Sequence, residues 1–212
     1  MGREIELKIP LSQAEYDYIK KVIYSEIKTT GLLFTSLPEF LVKQDEYYSR
    51  YNSYEERLKN NEAQCIRIRS EAVYSASSLS DNGECTEKNA YFTIKRKTYK
   101  DGMELNQEDE TYIENPEVLK EFFLEAKYKC WFTKEKEAYS IYCKAEAFSD
   151  ISIHCELVNV NNLLYLEAEI TEEKLSADIA EKALNQFVCL LKLDPNKKDV
   201  RSWKEIIREN TK

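Results

Sequence analysis

The sequence predicts an α+β fold, with about eight mostly antiparallel strands and helices added to them. Three observations predict it. Segments in which charged and apolar residues alternate strictly recur along the chain. Helix-start signals stand at Ser12–Glu15 and Asn115–Pro116, each followed by an amphipathic stretch. The chain is 42% hydrophobic with only 4 Gly and 4 Pro, enough to fill a core and too few to suit a disordered or collagenous chain. A length of 212 residues is read as one domain spanning 1–212.

The first strand, "EIELKI", sets Glu4, Glu6 and Lys8 on one face and Ile5, Leu7 and Ile9 on the other. Pro10 ends it, and the capping box of Ser12 and Glu15 opens a helix expected to run to about residue 27. Residues 39–49 read as the second strand, and 54–63 as a charged connection or short helix. Residues 63–71 alternate again. The polar run 75–89 contains a glycine and reads as a loop. Residues 90–97 and 102–113 read as strands. Asn115 caps a helix expected to reach about residue 129. Three more strands follow at 130–143, 151–160 and 163–170, then a long helix at 172–193 and a short one at 200–209.

Several strands repeat the pattern of the first. Arg67 and Arg69 lie opposite Ile66 and Ile68. Thr93, Lys95 and Lys97 lie opposite Phe92 and Ile94. Ser152, His154 and Glu156 lie opposite Ile153 and Cys155, and Glu167 and Glu169 lie opposite Leu166 and Ala168. Lys134 and Lys136 share a face, with Glu135 and Glu137 behind them. Glu104, Glu108 and Glu110 share a face whose opposite side, with Gln107 and Asp109, is also polar. One such strand decides nothing, because composition alone produces acid-x-acid-x-base about once in this chain. Repetition leaves two architectures. A sheet could pack its apolar face on helices and leave its charges in water. Alternatively, the strands could close into a barrel with the charges lining a wet interior and helices outside. Charges cannot be buried dry and unpaired. A lumen holding both signs suits a multiply charged ligand: bases for a polyanion, carboxylates for hard divalent cations.

Composition limits the partners. A formal net charge of −8 disfavours nonspecific nucleic-acid binding. No apolar run approaches a membrane span, and the chain enters a charged strand at once, which predicts no signal peptide, no membrane partner and a cytoplasmic location. The six scattered Cys form no C-x-x-C pair and read as reduced thiols, neither disulfides nor a zinc site.

Taken in order, the motifs resemble the CYTH superfamily, the triphosphate tunnel metalloenzymes. Its E-x-E-x-K signature stands as Glu4, Glu6 and Lys8. Asp45, Tyr47 and Tyr48 match its second strand, Arg67 and Arg69 its R-x-R strand, and Thr93 and Lys95 its T-x-K strand. Lys134, Lys136 and Tyr139 match K-x-R. Glu156, Tyr165, Glu167 and Glu169 match its late acidic block, and "SWKEII" at 202–207 matches the end of the cyclase-like branch. Four positions depart from the pattern: Glu156 replaces an Asp, Leu164 a Gly, Lys136 an Arg, and Asn106 a phosphate-binding Arg.

The resemblance implies a closed eight-stranded antiparallel β-barrel, a tunnel with a charged interior and helices outside. It implies Lys8, Arg67, Arg69, Lys95, Lys97, Lys134 and Lys136 as phosphate ligands. Glu4, Glu6, Glu108, Glu110, Glu156, Glu167 and Glu169 become the ligands of Mg2+ or Mn2+, with Glu6 and Lys8 catalytic. His154, the only histidine, is not required by the motifs. The implied substrate is a triphosphate-bearing small molecule such as ATP, tripolyphosphate or thiamine triphosphate, handled by a monomer or homodimer. The strand at Asp45–Tyr48 and the "SWKEII" segment favour a class IV adenylyl cyclase-type enzyme, making cyclic AMP and pyrophosphate. A triphosphatase is the alternative, and a non-catalytic polyphosphate-binding protein the rival from another class.

Overall fold

The computed structural model describes residues 2–60, 62, 64–74, 84–100, 103–171 and 175–210. The strands are β1 (Gly2–Pro10), β2 (Leu32–Phe34), β3 (Glu39–Ser49), β4 (Gln64–Tyr74), β5 (Cys85–Lys100), β6 (Met103–Tyr112), β7 (Lys129–Ala145), β8 (Ile153–Val160) and β9 (Leu163–Thr171). The helices are α1 (Gln13–Ile23), α2 (Tyr54–Lys59), α3 (Pro116–Glu125), α4 (Ala177–Leu190) and α5 (Trp203–Asn210). Eight strands pair antiparallel in the order β3, β4, β5, β6, β1, β9, β8, β7, and β7 pairs again with β3 to close the barrel. The short β2 is added along the far end of β7.

Closure decides between the two architectures. The apolar faces point outward. Ile5, Leu7 and Ile9 join Leu157, Leu166 and Ile170 beneath Ile19 and Val22 of α1 and Leu184 and Phe187 of α4. Tyr48, Ile66 and Ile68 are covered by Phe123 of α3. The charged faces therefore point inward, with Lys8, Lys43, Asp45, Lys134, Lys136 and Glu156 all buried. A third apolar cluster has the inward parity. Leu41, Ala138, Val158 and Tyr165 are successive cross-strand neighbours, and Trp203 and Ile206 of α5 pack on them.

The helices are shorter than the sequence pattern predicts, and the cause is local. Both halves of the Ser12–Glu15 capping box form, but α1 stops at Ile23 and Ser25 takes a left-handed φ of 60°. Lys127 and Lys192 end α3 and α4 in the same way, at φ of 65° and 60°. A left-handed residue after the last turn satisfies the final carbonyls and is most often glycine; with so few glycines, this chain uses Ser and Lys. At the other end, α4 starts at Ala177 because Ser176 caps it; the predicted start at 172 lies outside the described residues. α5 starts at Trp203 and not at 200, because Ser202 and Glu205 form a second capping box there. The predicted loop 75–89 is too long. Residues 75–83 lie outside the described residues, but Cys85 to Asn89 continue β5, pairing with β4 as far as Tyr74. Glu84 to Lys88 are exposed, so no burial pattern marks this extension. The three-residue β2 is too short to show any period.

All six cysteines are free, with Cys65, Cys143 and Cys155 buried. No helix among the described residues is long and apolar enough to cross a membrane.

The outer core carries the barrel, so Phe187→Ala, at 1% exposure, should lower unfolding free energy by about 3–5 kcal/mol. Urea denaturation checks this; a change under about 1 kcal/mol would mean that α4 is not part of the cooperative fold.

Candidate active site

The lumen holds a cavity of about 320 Å³. Every residue assigned to the site from sequence lines it: Glu4, Glu6 and Lys8 from β1; Arg67 and Arg69 from β4; Lys95 and Lys97 from β5; Glu108 and Glu110 from β6; Lys134 and Lys136 from β7; Glu156 from β8; Glu167 and Glu169 from β9. Basic and acidic side chains stand there in nearly equal number, and their pairing separates them into groups.

The most closely satisfied group surrounds Asp45, which is fully buried. Arg69 grips it with Nε at 2.7 Å and Nη2 at 3.1 Å, and Lys134 Nζ lies 3.1 Å away. Burial opposes ionisation of Asp45, but Arg69, Lys134 and Arg67 together hold its carboxyl well below the usual range. Next to it, Lys136 donates to Glu156 at 2.6 Å and to Glu167 at 2.8 Å. Lys43 donates to Glu156 and lies 3.3 Å from Glu71. Trp203 Nε1 donates to Glu167, so α5, which packs on the inward apolar cluster, also touches the lumen. On the other side, Arg67 contacts Glu108 at 3.1 Å and Glu110 at 3.2 Å. Lys95 lies 3.0 Å from Glu4 and 3.1 Å from Glu108, while Lys8 and Lys97 both reach Glu104.

Two places are out of balance, with opposite signs. Glu4, Glu6 and Glu169 each offer an oxygen, all within 4.8 Å of one another. Burial is the main cause that pushes Glu4 up to about 7. Glu169 and Glu108 add to the rise against the pull of Lys95. Glu6 is raised by burial and then by Glu104. At the second place, Lys134 falls to about 8, through burial and the neighbouring charges of Lys136 and Arg69, although Asp45 pulls it upward. Glu169 is lowered despite its burial, by the hydrogen bond and charge of His154, so the first place holds two raised carboxylates beside a lowered one and the second a lowered lysine.

The first place fits a hard divalent cation. Its donors are carboxylate oxygens only, the type Mg2+ and Mn2+ prefer. The seven carboxylates assigned to metal from sequence thus separate. Glu4, Glu6 and Glu169 converge, whereas Glu156 and Glu167 meet Lys136, and Glu108 and Glu110 meet Arg67. The sequence reading did not assign Lys43, Glu71 or Lys204 to the site. Lys43 and Glu71 share parity with Asp45 and Arg69 and could have been found that way. Lys204 reaches the lumen from α5, and no strand pattern points to it. Asn106 is 2% exposed, and neither its amide oxygen nor its nitrogen has a hydrogen-bond partner among the described residues.

Solved structures share this architecture. A Pyrococcus horikoshii protein, PH1819, superposes with a TM-score of 0.65 at 17% identity, covering 98% of this chain and 99% of its own. The likeness is one of fold: a closed antiparallel barrel with helices outside. A Hippeastrum protein, HpAC1, named for an adenylyl cyclase and described as having a dominant triphosphatase activity, matches at TM-score 0.61 and 12% identity over 99% and 96% of the two chains. A Vibrio parahaemolyticus protein described as a candidate adenylate cyclase matches at 0.59 and 13% over 97% of each. No family profile matches the sequence, and no curated protein matches it significantly.

Asp45→Asn should strand Arg69 and Lys134 and cost about 3–5 kcal/mol near neutral pH. The carboxyl of Asp45 is depressed in the fold, so its contribution is present above its unfolded value near 3.9 and fades as pH falls. Unfolding followed from pH 7 down to 3 should therefore show the gap between wild type and variant narrowing. A gap that is constant with pH would remove the ion pair as its cause.

Proposed function

We propose that this chain is a metal-dependent enzyme that hydrolyses a triphosphate-bearing small molecule in the lumen. The carrying observation is a pair of opposite features within one cavity: three converging carboxylates, of which Glu4 and Glu6 are raised, and Lys134 lowered by burial and by Lys136 and Arg69 although Asp45 lies 3.1 Å away. A metal–triphosphate complex answers both. A bare polyanion would find its bases largely occupied by carboxylates.

In this reading Arg67, Arg69, Lys95, Lys97, Lys134 and Lys136 hold the phosphate oxygens, with the guanidinium forks fixing orientation. Glu4, Glu6 and Glu169 would hold Mg2+ or Mn2+, which supplies positive charge where negative charge builds on the phosphate oxygens. Lys8, 4% exposed and 3.8 Å from Glu6, contacts the reacting phosphate and orients the attacking water. Positioning does most of the work in phosphoryl transfer, and the closed wall limits the water present.

Hydrolysis needs only this grip and a water, whereas cyclisation also needs an adenosine seated with its 3′-hydroxyl at the α-phosphorus. The lumen tyrosines are already engaged: Tyr47 donates to Asp45 and packs on Phe132, and Tyr142 stacks on His154. The activity described for the Hippeastrum protein supports the same order by analogy. The class IV adenylyl cyclase-type reading, which the sequence motifs favour, is retained as second on one observation. Tyr91 lines the cavity and meets Tyr112 edge-on, which offers a platform for a base.

Incubation with tripolyphosphate, ATP or thiamine triphosphate, each with Mg2+ or Mn2+, should release orthophosphate without cyclic AMP. Glu6→Gln and Glu169→Gln should each cut turnover about a hundredfold or more with the fold intact. Cyclic AMP with pyrophosphate would select the cyclase. Binding by calorimetry without turnover of any of the three would leave a non-catalytic polyphosphate binder.

A further inference from the structure

A row of inward side chains crosses four strands at one level. Glu104 on β6 faces Glu6 on β1, Glu6 faces Glu169 on β9, and Glu169 faces His154 on β8. Like charges on neighbouring strands repel, so Glu169, at the end of three carboxylates, needs a restraint to stay beside Glu4 and Glu6. His154 is placed to supply it. Its Nδ1 lies 2.9 Å from Glu169 Oε1, and its Nε2 lies 2.8 Å from Ser140 Oγ. Tyr142, directly opposite on β7, stacks on the imidazole with ring centroids 4.7 Å apart and planes 23° from parallel. Glu156 Oε1, 3.8 Å from Nε2, completes the surroundings. The ring is thus fixed in plane and in rotation, with one nitrogen on Glu169.

We infer that His154 is a positioning residue that sets Glu169 for a divalent cation shared with Glu4 and Glu6. This rests on the metal-dependent reading of the lumen. Nδ1–H donates to Glu169 Oε1, and the Ser140 hydroxyl donates to Nε2, which fixes the tautomer. One carboxylate oxygen is held and the other is left for the cation. Hydrogen bonds from residues behind a ligating carboxylate orient it and raise metal affinity. The role adds to those of the motif residues, which do not include a histidine.

The test is Mn2+ binding without substrate, read by electron paramagnetic resonance of the free ion. Thermal unfolding in the absence of metal checks that each variant is folded. His154→Ala should weaken Mn2+ binding about 10–100-fold. His154→Asn, whose amide nitrogen can take the place of Nδ1, should recover most of it. His154→Gln, whose amide reaches toward Ser140 instead, should stay weak. If the alanine variant does not fold, the Asn–Gln comparison carries the test alone. In a Glu169→Gln background, His154→Ala should cause little further loss, because it acts through that carboxylate. The inference is overturned if His154→Ala binds within about twofold of wild type, if Gln recovers as well as Asn, or if the two losses add in full. A wild-type chain that binds no Mn2+ overturns the metal-dependent reading itself, and the role of His154 with it.

Discussion

A charge carried into the barrel must meet an opposite charge there, and the rest of the structure depends on this. After relaxation, an unpaired buried ion still costs several kcal/mol. Strand alternation puts Glu4, Glu6 and Lys8 of β1, Arg67, Arg69 and Glu71 of β4, and Glu104, Glu108 and Glu110 of β6 on one face of each strand, so closing the barrel takes all of them inside at once. The cross-strand register makes this tolerable. Lys8 faces Glu167, Asp45 faces both Arg69 and Lys134, Lys43 faces Glu71, and Lys95 faces Glu108. Each pair brings acid to base directly across the ladder, where side chains stand close enough to interact.

The same register leaves the two imbalances. Glu104, Glu6 and Glu169 face one another in succession, and Lys43 faces Lys136. Lys8, Lys95 and Lys97 reach into the acidic row and hold Glu104 low against its burial, but Glu6 and the neighbouring Glu4 remain raised. Glu156 and Glu167 answer Lys43 and Lys136, which leaves Lys134 sharing Asp45 with Arg69. A barrel selected only for stability would replace such rows with apolar residues, since a well-packed apolar group is often as good as a buried ion pair. The Leu41, Ala138, Val158 and Tyr165 row shows that this lumen accommodates apolar residues. The unbalanced charges are therefore better explained by a ligand of mixed sign than by the fold.

Much of this was legible in the sequence, because a period of two is visible wherever one face is apolar. Ile5, Leu7 and Ile9 against Glu4, Glu6 and Lys8 show both faces without any structure. Parity could not show which face was inside, since a solvated sheet has the same pattern; the resemblance supplied that, and closure of β7 on β3 agrees. Nor could parity show which acid meets which base. Glu167 and Lys136 are 31 residues apart, and only the register of three strands brings them together. On β6 both faces are polar, so the inward set of Glu104, Asn106 and Glu108 was blurred. Lys204 and the donor on Trp203 come from a helix laid against the barrel, and a tertiary contact of that kind leaves no local trace.

Stability and site are kept apart by the alternation that defines them. Helices α1, α3 and α4 bury the outward side chains, and that packing does not require the lumen to be charge-balanced. The inward face can then carry the unfavourable Glu104, Glu6 and Glu169 row without the barrel opening. The two faces also check each other. A slip of one residue in β1 would turn Ile5, Leu7 and Ile9 into the lumen and Glu4, Glu6 and Lys8 under the helices, losing both the outer core and the ion pairs. Register is thus specified twice. That precision brings carboxylate oxygens from two strands within 4.8 Å of one another, with a histidine from a third behind them.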